Sequence, residues 1–165
     1  RSFPSWGFSI QHGATSIWER WDGWTPEKGF QTPGMNSFAH YSFGAVGEWM
    51  FRTIAGIDTD GPGFRNIIIR PRPGGIIKWC RASYKSIRGP IKTHWRIENG
   101  RFMLDVSIPA NTRATIHIPT SDTESIMEGG NFVDASEDIS HLWSGPESGV
   151  YRIHPGEYAF ESEIK

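Results

Sequence analysis

The stretch Ile91-Lys92-Thr93-His94-Trp95-Arg96-Ile97-Glu98-Asn99-Gly100-Arg101-Phe102-Met103-Leu104-Asp105-Val106-Ser107-Ile108 decides the fold. Ile91, Thr93, Trp95 and Ile97 alternate with Lys92, His94, Arg96 and Glu98. After Asn99-Gly100, Phe102, Leu104, Val106 and Ile108 alternate with Met103, Asp105 and Ser107. Successive side chains of a strand point to opposite faces, so this period of two sets an apolar row against a core and a polar row into water. Asn-Gly accepts the positive φ that a tight turn requires, and the two runs therefore predict a β-hairpin. Further short strands are predicted at 65–70, 76–87, 114–118, 150–153 and 158–161, with glycine or proline between them. Together they predict an antiparallel β-sandwich. The tract 121–148 is polar and weakly patterned, which predicts loop with one short strand near 125–127. Trp79, Trp95 and Trp143 fit alternating core positions, and Cys80, in an alternating strand, reads as buried or half-buried packing rather than a nucleophile.

The first third is written differently. Trp6, Trp18, Trp21, Trp24 and Trp49 crowd into it. Between 36 and 56 the residues Phe38, Tyr41, Ala45, Trp49 and Met50 recur at three- and four-residue steps, the period of one helical face. A helix is predicted there, capped by Asn36 or Ser37 and ended by Gly56. His40, Gly44 and Gly47 share another stripe of it, where the missing side chains allow close approach. Asp58-Thr59-Asp60-Gly61-Pro62-Gly63 reads as a hinge. The expected fold class is α+β, divided into 1–57 and 58–165.

Seventeen basic and 18 acidic side chains give a formal charge of −1, which offers no field to steer a nucleic acid or an anionic membrane. No apolar run approaches the roughly 20 residues of a membrane helix. With 165 residues, 37% of them hydrophobic, the chain suffices for one or two cores. A single cysteine excludes an internal disulfide and leaves the compartment open. The six histidines show no metal-ligand spacing, and neither a Gly-x-Ser-x-Gly elbow nor a phosphate-binding glycine loop occurs. No cofactor or metal is implied. The start, Arg1-Ser2-Phe3-Pro4, carries neither an initiator methionine nor a signal segment, so the expectation is that residues upstream have been removed.

Chemistry concentrates in Gly13-Ala14-Thr15-Ser16-Ile17-Trp18-Glu19-Arg20-Trp21-Asp22-Gly23-Trp24. Indole faces stack on the C–H faces of sugars and carboxylates accept hydroxyl hydrogen bonds, a combination that suits a carbohydrate site. Tryptophans at three-residue steps also fill cores, and Arg20 with Asp22 also suits a surface pair.

This segment, with Phe3-Pro4-Ser5-Trp6-Gly7-Phe8 before it and Met35-Asn36-Ser37-Phe38-Ala39-His40-Tyr41 after it, closely resembles the C-terminal region of bacterial α-L-rhamnosidases. Gly44-Ala45-Val46-Gly47-Glu48-Trp49-Met50, Ile54-Ala55-Gly56-Ile57 and Ile108-Pro109-Ala110-Asn111-Thr112-Arg113-Ala114 extend the likeness. The resemblance implies that 1–57 are the last helices of an (α/α)6 catalytic barrel and 58–165 a C-terminal β-sandwich. It implies an inverting hydrolysis in which Glu19 is the general base and His40 contacts the bound rhamnose. Such chemistry needs a second carboxyl group about 6.5–9.5 Å away to protonate the departing oxygen. The family's acidic motif for that role has no counterpart here. Glu27, Glu48 and Asp22 are the remaining candidates, and none is singled out by spacing. Ala39 stands where the family often has asparagine.

The implied partners are a rhamnose-containing glycoside and the upstream barrel portion of the same enzyme. The chain alone is expected to be inactive and, with its barrel-facing aromatics uncovered, to self-associate. Two other readings of the sandwich are a non-catalytic carbohydrate-binding module and a structural cap.

Overall fold

The computed structural model describes residues 2–164. Packing divides them into two compact units, one ending at Glu48 and the other beginning at Trp49, so the turn-rich stretch 58–63 lies inside the second.

In the first unit, Ser5 caps α1 (Trp6–Gln11) by accepting the Phe8 N–H on its hydroxyl at 3.0 Å. The chain then passes through turns and bends to a small antiparallel hairpin of β1 (Trp24–Thr25) and β2 (Gly29–Phe30). Tight 3-10 turns follow at Pro33–Met35 and Ser42–Ala45, then α2 (Val46–Trp49). The single helix expected over 36–56 is thus replaced by a helical run that begins six residues later, at Ser42, and becomes a π-helix at Met50–Ala55. Asn36 and Ser37 do not cap it: Asn36 Nδ2 donates to Gly23 O and Gln31 O, and the Ser37 hydroxyl accepts the Ala39 N–H, upstream of the helical run. His40 precedes the helix rather than lying on it. Gly44 does mark a close approach, since a Cβ there would lie 3.4 Å from Ile17, whereas Gly47 faces open space.

The second unit is the sandwich. In chain order its strands are β3 (Ile57–Thr59), β4 (Asn66–Ile69), β5 (Trp79–Ser86), β6 (Gly89–Glu98), β7 (Arg101–Ile108), β8 (Arg113–Pro119), β9 (Met127–Glu128), β10 (Asn131–Phe132), β11 (Ile139–Gly145), β12 (Ser148–Ile153) and β13 (Gly156–Glu163). Six form one sheet in the order β10-β9-β13-β7-β6-β5, and five form the other in the order β11-β12-β8-β4-β3. The predicted β6–β7 hairpin is present, with Trp95 opposite Leu104 and positive φ at Asn99 (51°) and Gly100 (75°). The sandwich departs from a purely antiparallel one at β4 and β8, which run parallel because the β5-β6-β7 meander of the other sheet lies between them in sequence. Strands β3, β10 and β11 fall where hinge or loop was expected.

Ile57, Ile69, Ile116 and Ile153 from one sheet and Ile91, Trp95, Leu104 and Phe160 from the other share one buried core. Each such side chain contributes about 1.5–3 kcal/mol of transfer free energy. Of the three tryptophans assigned to core positions only Trp95 is buried. Trp79 is 65% exposed and Trp143 51%. On β5 the inward phase belongs to Cys80 and Ala82, leaving Trp79 on the outer face opposite Arg96. On β11 an irregularity between His141 and Trp143 shifts the phase and turns Trp143 outward against Val150.

The end of the π-helix is closed by the sandwich. A helix leaves its last carbonyls without intrahelical partners. Here Arg72 N–H donates to Thr53 O at 3.0 Å, Trp95 Nε1–H to Ile54 O at 2.7 Å, Thr93 Oγ1–H to Ala55 O at 3.0 Å and Arg70 N–H to Gly56 O at 2.8 Å. Gly56 ends the helix as predicted, with φ 75°, and a Cβ there would sit 2.2 Å from Pro71 N.

Candidate active site

The loop 20–36 folds back so that residues 37–40 run beside 16–19. Glu19 N–H donates to Ser37 O and His40 N–H to Ile17 O, both at 2.8 Å, and the Ser16 hydroxyl donates to Phe38 O. Asn36 Nδ2 locks the base of the loop by donating to Gly23 O (2.9 Å) and Gln31 O (3.3 Å). This antiparallel apposition sets the segments carrying the two sequence-predicted site residues against each other, Glu19 opposite Ser37 and His40 opposite Ile17, although 20 residues lie between Glu19 and His40 in sequence.

Glu19 is half-buried, and its Oε2 accepts the Ser37 N–H at 2.7 Å. That N–H fixes the carboxylate without neutralising it, and among the described residues no lysine or arginine forms an ion pair with Glu19. Asp22 differs. Arg20 grips it through Nε and Nη2, both at 3.0 Å, and this hydrogen-bonded pairing holds the Asp22 carboxyl below the usual carboxylate range. An acid held ionised is a poor proton donor at neutral pH, which weakens Asp22 as the missing general acid. Glu27 and Glu48 are exposed. The half-buried His40 ring stacks on Tyr41, with centroids 5.8 Å apart.

The tryptophans divide by role. Trp18 is buried and meets the edge of Phe38 at 5.1 Å, so it anchors the loop. Trp21 stacks on Phe43 at 4.1 Å and meets Trp6 edge-on at 5.1 Å. Trp6, Trp21, Phe43, Ile10 and Ile17 line a pocket of about 310 Å³ whose walls include neither Glu19 nor His40. Ser37 and Asn36, read from sequence as helix caps, instead position the Glu19 loop, and period-3.6 patterning held no signal for that. Among the described residues, no three His, Cys, Asp or Glu side chains converge as metal ligands.

Residues 1–54 match the bacterial alpha-L-rhamnosidase 6 hairpin glycosidase domain, and residues 56–132 match the bacterial alpha-L-rhamnosidase C-terminal domain. The chain belongs to the C-terminal region of the bacterial α-L-rhamnosidases. It is 48% identical over 161 residues to an alpha-L-rhamnosidase of Streptomyces avermitilis, covering 97% of this chain and 15% of that protein. It is 35% identical over 163 residues to one of Formosa agariphila, covering 98% and 18%. The crystal structure of the Streptomyces avermitilis alpha-L-rhamnosidase complexed with L-rhamnose superposes with a TM-score of 0.84 at 40% identity, covering 98% of this chain and 15% of that one. The chain therefore spans less than a fifth of the length of these rhamnosidases.

Proposed function

We propose that this chain is the C-terminal part of an inverting α-L-rhamnosidase that releases terminal α-L-rhamnose from glycosides. Residues 1–57 form the last part of its (α/α)6 barrel and 58–165 its C-terminal sandwich. The reading rests most directly on one observation: the backbone pairing of Glu19 with Ser37 and of Ile17 with His40, which holds the two family-like motifs against each other in one folded loop.

Glu19 acts as general base. A carboxylate oriented by the Ser37 N–H, with no cationic partner among the described residues, draws a proton from a water poised on the far side of the anomeric carbon. As the water oxygen bonds to that carbon, the bond to the leaving oxygen breaks, and a carboxylic acid contributed from outside this chain protonates the departing group. His40 hydrogen-bonds a hydroxyl of the rhamnose ring. Arg20 and Asp22 brace the loop. The acid and most of the sugar pocket come from the upstream barrel.

The test pairs two samples. The isolated chain, incubated with an aryl α-L-rhamnoside, releases no aryl alcohol, whereas the chain joined to its upstream barrel does. In the joined enzyme His40→Ala raises KM more than it lowers kcat. Turnover by the isolated chain, or a His40→Ala enzyme with unchanged KM, contradicts the assignment.

A further inference from the structure

A cavity in the second unit lies on the outer face of the six-stranded sheet. The ladder registers place its side chains in three rows. Trp79, Arg96, Met103 and Glu161 stand abreast across β5, β6, β7 and β13, and Met127 and Phe132 continue this row over β9 and β10. The next row is Arg81, His94, Asp105 and Ala159, and the third is Ser83, Lys92, Ser107 and Glu157. The first row is bulky and forms a ridge. In the other two, Ser83, Ser107 and Ala159 are small and leave a groove of about 740 Å³, within the range of small-molecule sites.

The chemistry of the groove is graded. At its centre Asp105 Oδ2 meets His94 Nδ1 at 3.3 Å and Arg96 Nη1 at 3.4 Å, a braced array. Toward β5, Arg81 and Lys92 have no carboxylate within ion-pair distance among the described residues. Toward β13, Glu157 likewise has no basic partner among them. Donors without acceptors at one end and an acceptor without donors at the other repel a uniformly charged ligand but match one whose hydroxyls both donate and accept. Trp79, on the same face of β5 as Arg81 and Ser83, offers a 65% exposed indole at the rim, a flat surface for the C–H face of a sugar ring.

We propose that this groove is a second, non-catalytic carbohydrate site that holds a neutral oligosaccharide of two or more units, stacked on Trp79 and hydrogen-bonded by Arg81, Lys92, His94 and Glu157. The ligand class rests on the reading of the chain as part of a glycosidase, while the groove is independent of Glu19. Function then resides on both units, with the sandwich retaining the glycan on which the barrel acts.

The full chain is titrated by NMR with an α-L-rhamnosyl disaccharide and trisaccharide, and with a carboxylated disaccharide of similar size. Saturable shifts of Trp79 Nε1–H and the His94 ring with the neutral sugars, weakened at least tenfold in Trp79→Ala and in Arg81→Ala/Lys92→Ala, are the expected result. Both variants alter exposed side chains, and unchanged far-UV circular dichroism shows that they fold. Binding persists in Glu19→Gln, which separates this site from the catalytic reading. No saturable binding, binding confined to the carboxylated sugar, or binding indifferent to both variants overturns the proposal.

Discussion

Thr93→Val isolates one hydrogen bond at the seam between helix and sandwich. Thr93 is 1% exposed, and its hydroxyl donates to the Ala55 carbonyl at 3.0 Å, an oxygen at the end of the π-helix with no helical N–H to accept. Valine keeps the shape and suits a strand, so volume and propensity change little. What changes is that a buried acceptor loses its donor, at a cost of about 1–3 kcal/mol. For a unit of this size each kcal/mol lowers Tm by roughly 4 °C, so the expected fall is about 4–12 °C in thermal melts followed by circular dichroism. Thr93→Ser keeps the donor and loses one methyl, about 0.8 kcal/mol, and should be the more stable of the two. A valine variant that melts within about 1 °C of the parent, or above the serine variant, refutes this account of how the helix end is satisfied.

Gly56→Ala should cost at least about 2 kcal/mol and scatter the cross-peaks around Pro71 in NMR spectra, because the left-handed backbone at 56 and the contact with Pro71 both exclude a Cβ. His117 is half-buried, and burial, with Arg70 and Arg72 adding repulsion, pushes its pKa below the ordinary value of 6.5. The unfolded chain therefore binds this proton first, so stability falls as pH drops through the region below 6.5 and is restored above it. Urea midpoints compared between His117→Gln and the parent should show a shallower acid limb in the variant. Phe30, Met35 and Tyr41 are 74%, 68% and 86% exposed in the first unit, so the isolated chain should associate with rising concentration in sedimentation velocity. Tyr41→Ser should weaken that association, and a concentration-independent monomer contradicts it.

The sandwich was legible where local rules agreed. In 91–108 alternation and Asn-Gly turn chemistry pointed the same way, and β6 and β7 formed in the expected register. β11 escaped because its phase changes midway, between His141 and Trp143, so no period of two runs through it. The 36–56 segment carried a helical period, yet at its start hydrogen bonds to a distant loop won: Glu19 takes the Ser37 N–H, and Asn36 turns to Gly23 and Gln31. Glu19 and His40 were named by resemblance to a family motif. The pairing of the segments that carry them runs across the 20–36 loop and leaves no periodic trace in sequence. The outer groove was visible only as a polar row, Lys92, His94 and Arg96, and its shape depends on small residues contributed by β5, β7 and β13.

The most direct test of the central claim is the pH dependence of aryl α-L-rhamnoside hydrolysis by the joined enzyme carrying Glu19→Gln. Loss of a general base predicts a fall in kcat of about 10²–10⁴-fold, little change in KM, and disappearance of the acidic limb of the kcat profile. A glutamine variant that retains the parent's kcat and its acidic limb would remove Glu19 from the reaction.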